Sequence, residues 1–321
     1  MNNLKKIGLT ALAGSLVATS VAVAGELSAS GSASMKISNL SSGSTGKSVG
    51  MANSVILAGS GELDNGMTVS MSFELDSGVD TGTGTGPFDN HSVSLSSDSM
   101  GTLTVHGHGG SNAASALDTT AAGDLWDNSL GLTTGAAGLA PKGAASGDNL
   151  VVYTLPELAE GMSVSASYAS AGENNEGSTA FGLTYTGMEG LTVKLGQGNN
   201  NGTVGVDIEQ TVMSASYAIG SFTVGYSNND YDHTTAANDQ TTESVSLAYT
   251  LSDSLSFSYG MTDIDNSGDT AEVEVTGATV SYTSGGMTVS GTSISADNVD
   301  GSSTGTNNDN TYWKLAASFA F

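Results

Sequence analysis

The sequence predicts an all-β protein, a transmembrane antiparallel β-barrel of about sixteen strands. Three observations predict it. A turn-and-strand unit recurs along the chain, the connections between strands alternate short and long, and each strand alternates apolar with small polar residues so that one face is apolar.

The chain opens with Lys5-Lys6, a mostly apolar run over 7–23, and Ala22-Val23-Ala24 ahead of Gly25. A charged segment, an apolar segment and a small-residue cleavage site together predict a secretory signal peptide over 1–24, leaving 25–321 as the mature domain. A single membrane anchor is the competing reading, and the Gly, Ser and Thr residues that interrupt the run weigh against it. No later stretch approaches the roughly 18 consecutive apolar residues of a membrane helix. A mature chain that spans a bilayer must therefore do so with strands.

Composition narrows the function further. The formal charge is −25, and removal of Lys5 and Lys6 makes it −27 (−25 − 2). The remaining lysines are Lys36, Lys47, Lys142, Lys194 and Lys314, and arginine is absent. Such a chain repels phosphate backbones, so nucleic acid is excluded as a partner. With no cysteine, neither disulfides nor thiolate metal sites are available. Disorder fits poorly, because only 12% of residues are charged and the apolar residues are regularly spaced.

The first strand, 26–38, sets Leu27, Ala29, Ala33, Met35 and Ile37 on one face and serines with Lys36 on the other. A turn residue, a glycine and an alternating strand then recur, as in Asn65-Gly66-Met-Thr-Val69, Met100-Gly101-Thr-Leu-Thr-Val105, Glu160-Gly161-Met-Ser-Val164 and Glu189-Gly190-Leu-Thr-Val193. The unit returns at Gly220 and Gly286, and at Ser254 without its glycine. From Gly66 to Gly286 the steps are 35, 60, 29, 30, 34 and 32 residues. Repeated hairpins of about ten residues up and ten down give this period. Seven tight turns join eight hairpins.

The further strands are predicted at 51–63, 67–76, 90–97, 101–108, 149–155, 161–170, 178–186, 190–197, 208–218, 221–228, 242–251, 254–262, 272–283, 287–295 and 310–321. Short turns and long connections alternate between them, as in an outer-membrane barrel with periplasmic turns and external loops. The single step of 60 contains the longest connection, 109–148, rich in Gly, Ala, Ser and Asp. A structureless stretch of that length within a regular array is functional or disordered.

The faces agree with a barrel. Met67, Val69, Met71, Phe73 and Leu75 share one side, as do Leu255, Phe257, Tyr259 and Met261, and the opposite sides are mostly Ser and Thr. Apolar faces meet lipid, and small polar faces suit a water-filled lumen. The last strand ends on an aromatic residue, with Trp313, Leu315, Ala317, Phe319 and Phe321 on one face.

At this point the chain resembles the general porins of Gram-negative outer membranes, a family of sixteen-stranded trimeric barrels. The C-terminal strand ending in Phe321 carries the resemblance, as do Asn149-Leu-Val-Val-Tyr153-Thr-Leu-Pro156 leading through Gly161 to Ser165-Ala-Ser-Tyr168, and the position of the long loop after the fifth strand. The resemblance implies diffusion of small hydrophilic solutes and ions through a homotrimer in outer-membrane lipid, a third loop folded inward to narrow the pore, and Phe319 and Phe321 as the signal read by the barrel-assembly machinery. In the family, acidic loop residues face arginines on the wall. Here Asp118, Asp124 and Asp127 match the acidic half, while Lys36, Lys194 and Lys314, lumen-facing by alternation, are the available cations. A carboxylate-dominated ring favours cations, so a cation-selective channel is expected. The alternative is a secreted acidic surface or adhesive β-protein without channel activity.

Other motifs are weaker. Asp263, Asp265 and Glu274, with Gly268 at the sixth position, have the spacing of a Ca2+ loop, but strands rather than helices flank them. A solvated acidic hairpin is the competing reading. His106 and His108 share a face without a third ligand. No Ser/His/Asp arrangement stands out, and neither an enzyme nor a resident cofactor is expected.

Overall fold

A computed structural model describes residues 26–40, 47–76, 88–117, 125, 130, 132, 137–143, 148–170, 177–200, 206–304 and 309–321. Residues 1–24, expected as a signal peptide, lie outside these residues. The strands are β1 (Glu26–Leu40), β2 (Ser48–Glu62), β3 (Thr68–Asp76), β4 (Asn90–Ser97), β5 (Gly101–His108), β6 (Leu150–Thr154), β7 (Met162–Ala169) and β8 (Ser178–Met188). They continue as β9 (Leu191–Asn199), β10 (Ile208–Ile219), β11 (Phe222–His233), β12 (Gln240–Ser252), β13 (Leu255–Asn266), β14 (Val273–Ser284), β15 (Met287–Asp297) and β16 (Asn310–Ala320). Each strand pairs antiparallel with its neighbours in sequence, and β1 pairs with β16, which closes the barrel. Closure removes the exposed edges that an open sheet would present.

The recurring glycines explain the tight turns. Gly66, Gly101, Gly161, Gly190 and Gly220 have φ of 79°, 75°, 71°, 76° and 59°, a left-handed conformation that costs an L-residue about 1–2 kcal/mol. Ser254 lacks the glycine, and its hairpin turns with a register shift between Thr250 and Ser252 instead.

The outer face is apolar over the lower and middle barrel. Leu27, Met35, Val49, Met51, Leu103, Phe181, Leu195, Phe222, Val245, Tyr259, Val280 and Leu315 are all exposed there, which suits lipid and not water. Near the short turns Phe222 stacks on Tyr249, with ring centroids 4.4 Å apart, within an aromatic girdle that includes Phe257 and Tyr282. At the seam, Phe321 and Gly31 exchange backbone hydrogen bonds of 2.8 and 2.9 Å.

The wall is taller than expected on one side. β11 runs to His233, β12 starts at Gln240 and β13 runs to Asn266, so much of what alternation assigns to loops continues as ladder. Above the lipid band the period of two persists while its polarity reverses. Glu243, Asp263, Asp265 and Glu274 face outward, and Ile264, Val273 and Val275 face in and are buried. The calcium-loop spacing therefore falls on a hairpin: Asp263 and Asp265 lie on β13, and Glu274 lies opposite Asp263 on β14. Among the described residues no group of three His, Cys, Asp or Glu side chains could hold a metal ion.

Candidate functional site

The loop after β5 folds into the lumen, and its described residues follow the inner wall. Ala113 N–H donates to Ser167 Oγ of β7 at 2.9 Å, Ser115 Oγ donates to Gln210 Oε1 of β10 at 3.1 Å, and Ser214 Oγ donates to Leu117 O at 3.4 Å. Ala114 lies on Gly196 of β9, where a Cβ would come within 2.8 Å of Ala114 Cα. Leu125 then occupies a notch made by two facing glycines, Gly260 of β13 and Gly277 of β14, and a Cβ at either would come within 3.0 Å of a Leu125 methyl. From the loop's root at β5 to β13 is eight strands (13 − 5), half of the sixteen.

An apolar seat holds the far part of the loop. Leu125, Leu130, Leu132 and Ala140 pack with Ile264, Val273, Val275, Ile294, Ala296 and Tyr312, all on the lumen face of β13–β16. Burial of each leucine side chain contributes about 1.5–3 kcal/mol to this seating. Asn310 Nδ2 of β16 also donates to Leu130 O at 2.6 Å.

The returning limb is fixed by amides. Gln240 Oε1 accepts from Lys142 N–H at 2.7 Å, Asn229 Nδ2 donates to Lys142 O at 2.7 Å, and Gln240 Nε2 donates to Ala140 O at 3.1 Å. These side chains satisfy the loop backbone as a neighbouring strand would. Gln210 Nε2 donates to Asn229 Oδ1 at 2.8 Å, and Gln240 Nε2 also donates to Asn266 Oδ1 at 2.8 Å, so the amides of β10–β13 form one network.

Lys142 anchors that network. It is only 8% exposed, its Nζ donates to Asn238 O at 2.9 Å and Asn266 Oδ1 at 3.2 Å, and it lies 5.8 Å from the centroid of the Tyr231 ring. Burial holds its amine below the ordinary lysine range, opposed by the carboxylates of Asp269 and Asp239. At the loop's root, His108 Nδ1 meets Asp148 Oδ1 at 2.5 Å, joining the last residue of β5 to the end of the returning limb. His106, on the same strand, packs against Gly110.

Of the residues picked out from sequence, Asp118, Asp124 and Asp127 lie outside the described residues. The three lysines face the lumen. Lys36 lies along Gly50, which has 3.2 Å between Lys36 Cε and the position of a Cβ. Lys36 pairs with Ala316 and Lys314 with Ser38, so the two lysines are diagonal neighbours across the β1–β16 seam. Lys194 pairs with Ser214, two residues below Gly196 on the same face.

Sequence reasoning missed Lys142, the amide network and the apolar seat. One signal was present: Gly182, Gly196, Gly260 and Gly277 lie inside strands, where glycine marks a close backbone approach.

The sequence matches the model of a family described as Gram-negative porin over residues 8–272, most of the chain. The chain belongs to that family. The porin is thus an outer-membrane channel for diffusion and not an enzyme, which sets aside the adhesive alternative. Its fold is similar to the anion-selective porin from Comamonas acidovorans, with a TM-score of 0.68, 15% identity, 92% of this chain covered and 100% of that one. OmpT of Vibrio cholerae, solved in a trimer form, is similar with a TM-score of 0.68 at 18% identity, over 93% of this porin and 100% of that chain. No curated protein sequence matches the chain.

Proposed function

We propose that this porin is a cation-selective pore for small hydrophilic solutes and ions, and that it assembles as a homotrimer. The observation that carries the selectivity is the supply of charge around the loop. The sequence has no arginine, lysines 36, 194 and 314 are the lysines that face the lumen from the strands, and the loop seated through Leu125 bears Asp118, Asp124 and Asp127. A ring dominated by carboxylates concentrates cations and repels anions. The anion selectivity of the Comamonas protein does not argue otherwise, because selectivity is set by side chains and 85 of every 100 aligned ones differ (100 − 15).

The trimeric form of the Vibrio protein supports trimer assembly, and the charged, apolar and small-residue pattern over 1–24 supports export. Phe319, on the strand that closes the barrel, and Phe321, just past its end, are read as the assembly signal. The test is the zero-current potential of the refolded mature protein in a planar bilayer under a KCl gradient. The expected sign is that of cation preference. An anion-selective potential would contradict the selectivity, and a folded protein that forms no channel would contradict the pore.

A further inference from the structure

Among the described residues, the loop's wall contacts beyond its root fall on β7–β16. Among the described residues, the lumen wall of β2–β4 takes none of these contacts, whereas Leu150 of β6 is buried beside the loop's root. The wall of β2–β4 is largely hydroxyl: Ser60, Ser70, Ser72, Ser92 and Ser94, with Ser28 of β1, line a shallow concavity on it.

Glu74 stands beside this serine surface, on the lumen face of β3. Its Oε1 accepts from Ser54 Oγ of β2 at 2.6 Å, and its Oε2 accepts from Asn90 Nδ2 of β4 at 2.7 Å. Both oxygens accept, the arrangement of an ionised carboxylate, and donors on two flanking strands fix its direction. Asn90 also reaches the root of the inward loop. A Cβ at Gly109, the first residue after β5, would overlap the Asn90 side chain. Glu74 is therefore tied through one side chain to the point where the loop leaves the wall.

We propose that Glu74 is a selectivity residue of the pore, a fixed negative charge on the lumen face of β3 at the level where the loop turns into the lumen. This rests on the channel reading but not on the loop aspartates. Its chemistry is that of a wall charge acting on passing ions. A carboxylate held in place at the edge of a low-dielectric barrel focuses its field into the water path, where cations are enriched and anions depleted. The effect fades as added salt shortens the screening length.

The cysteine-free sequence makes the test clean. Glu74→Gln keeps the side chain's shape, and the expected result is a K+/Cl− permeability ratio about two-fold lower than wild type at 0.1 M salt, with the difference shrinking toward 1 M. Glu74→Cys, folded first and then modified, separates charge from structure. A methanethiosulfonate reagent that adds a sulfonate should restore the ratio, and one that adds an ammonium should lower it further. If both reagents react and neither moves the ratio while wild type conducts, Glu74 has no such role. A wild-type protein that does not conduct would instead overturn the channel reading itself.

Discussion

Changing Asp118, Asp124 and Asp127 together to asparagine is expected to lower the cation-to-anion permeability ratio about tenfold. In a water-filled lumen, a carboxylate about 8 Å from a passing ion contributes on the order of 0.5 kcal/mol, favourable for a cation and unfavourable for an anion. Salt at about 0.1 M roughly halves this. Three such charges, acting with opposite sign on the two ions, amount to about 1.4 kcal/mol, which is a factor of ten. The zero-current potential of the triple variant checks it. Because Leu125 and its glycine notch are untouched, the loop should keep its seat and single-channel conductance at high salt should stay near wild type. A ratio that stays at the wild-type value would place the selectivity elsewhere.

The second large effect is expected at Lys142. Lys142→Met keeps most of the apolar stem but removes the Nζ, and with it the donor that serves Asn238 O and Asn266 Oδ1 and the charge beside the Tyr231 ring. Loss of a buried hydrogen bond from a charged group costs about 1.5–3 kcal/mol, so excursions of the returning limb should become at least tenfold more frequent. They would be read as added noise on the open-channel current. The barrel, held by its own closed ladder, should still unfold near the wild-type temperature.

The pH dependence follows from the direction of the Lys142 shift. Burial lowers its pKa in the seated state, so between that value and the ordinary lysine value the seated form binds fewer protons than the released form. The associated stability is present in full above the ordinary lysine pKa and is lost as pH falls through the depressed one. Wild-type noise should decline as pH rises toward the ordinary lysine range, and Lys142→Met should show no such decline. Noise that rises with pH in wild type would contradict the assignment.

The barrel itself was legible because both of its signals are local. Alternation at a period of two marks the strands, and the positive φ required at Gly66, Gly101, Gly161, Gly190 and Gly220 marks the short turns, so most boundaries fall within two residues of their expected places. The tall wall of β11–β13 was less legible. Above the lipid the outward residues become Glu243, Asp263 and Asp265 and the inward ones become apolar, and a polarity that reverses without a change of period looks like a loop with a calcium spacing.

The seat of the loop could not be read at all. Lys142 meets Gln240 and Asn266, 98 and 124 residues away in sequence, and only the register of four strands brings those amides to one height. The inward fold of the loop was legible only through family resemblance, because no local pattern distinguishes a docked Gly/Ala/Asp-rich segment from a solvated one. Mid-strand glycines such as Gly260 and Gly277 record the docking, but from the opposite wall.

That this loop lies against the far wall of an open pore is tested most directly by a disulfide across the Leu125 notch. A Cβ placed at Gly260 would lie 3.5 Å from Leu125 Cγ, the position a cysteine sulfur would take, which is within reach of a disulfide. In the double variant Leu125→Cys and Gly260→Cys, mild oxidation of the folded protein should join the two thiols within one chain, seen as a gel shift reversed by reductant, and the oxidised channel should still conduct. Two thiols that stay free and open to labelling reagents, or a cross-link that abolishes conductance, would contradict it.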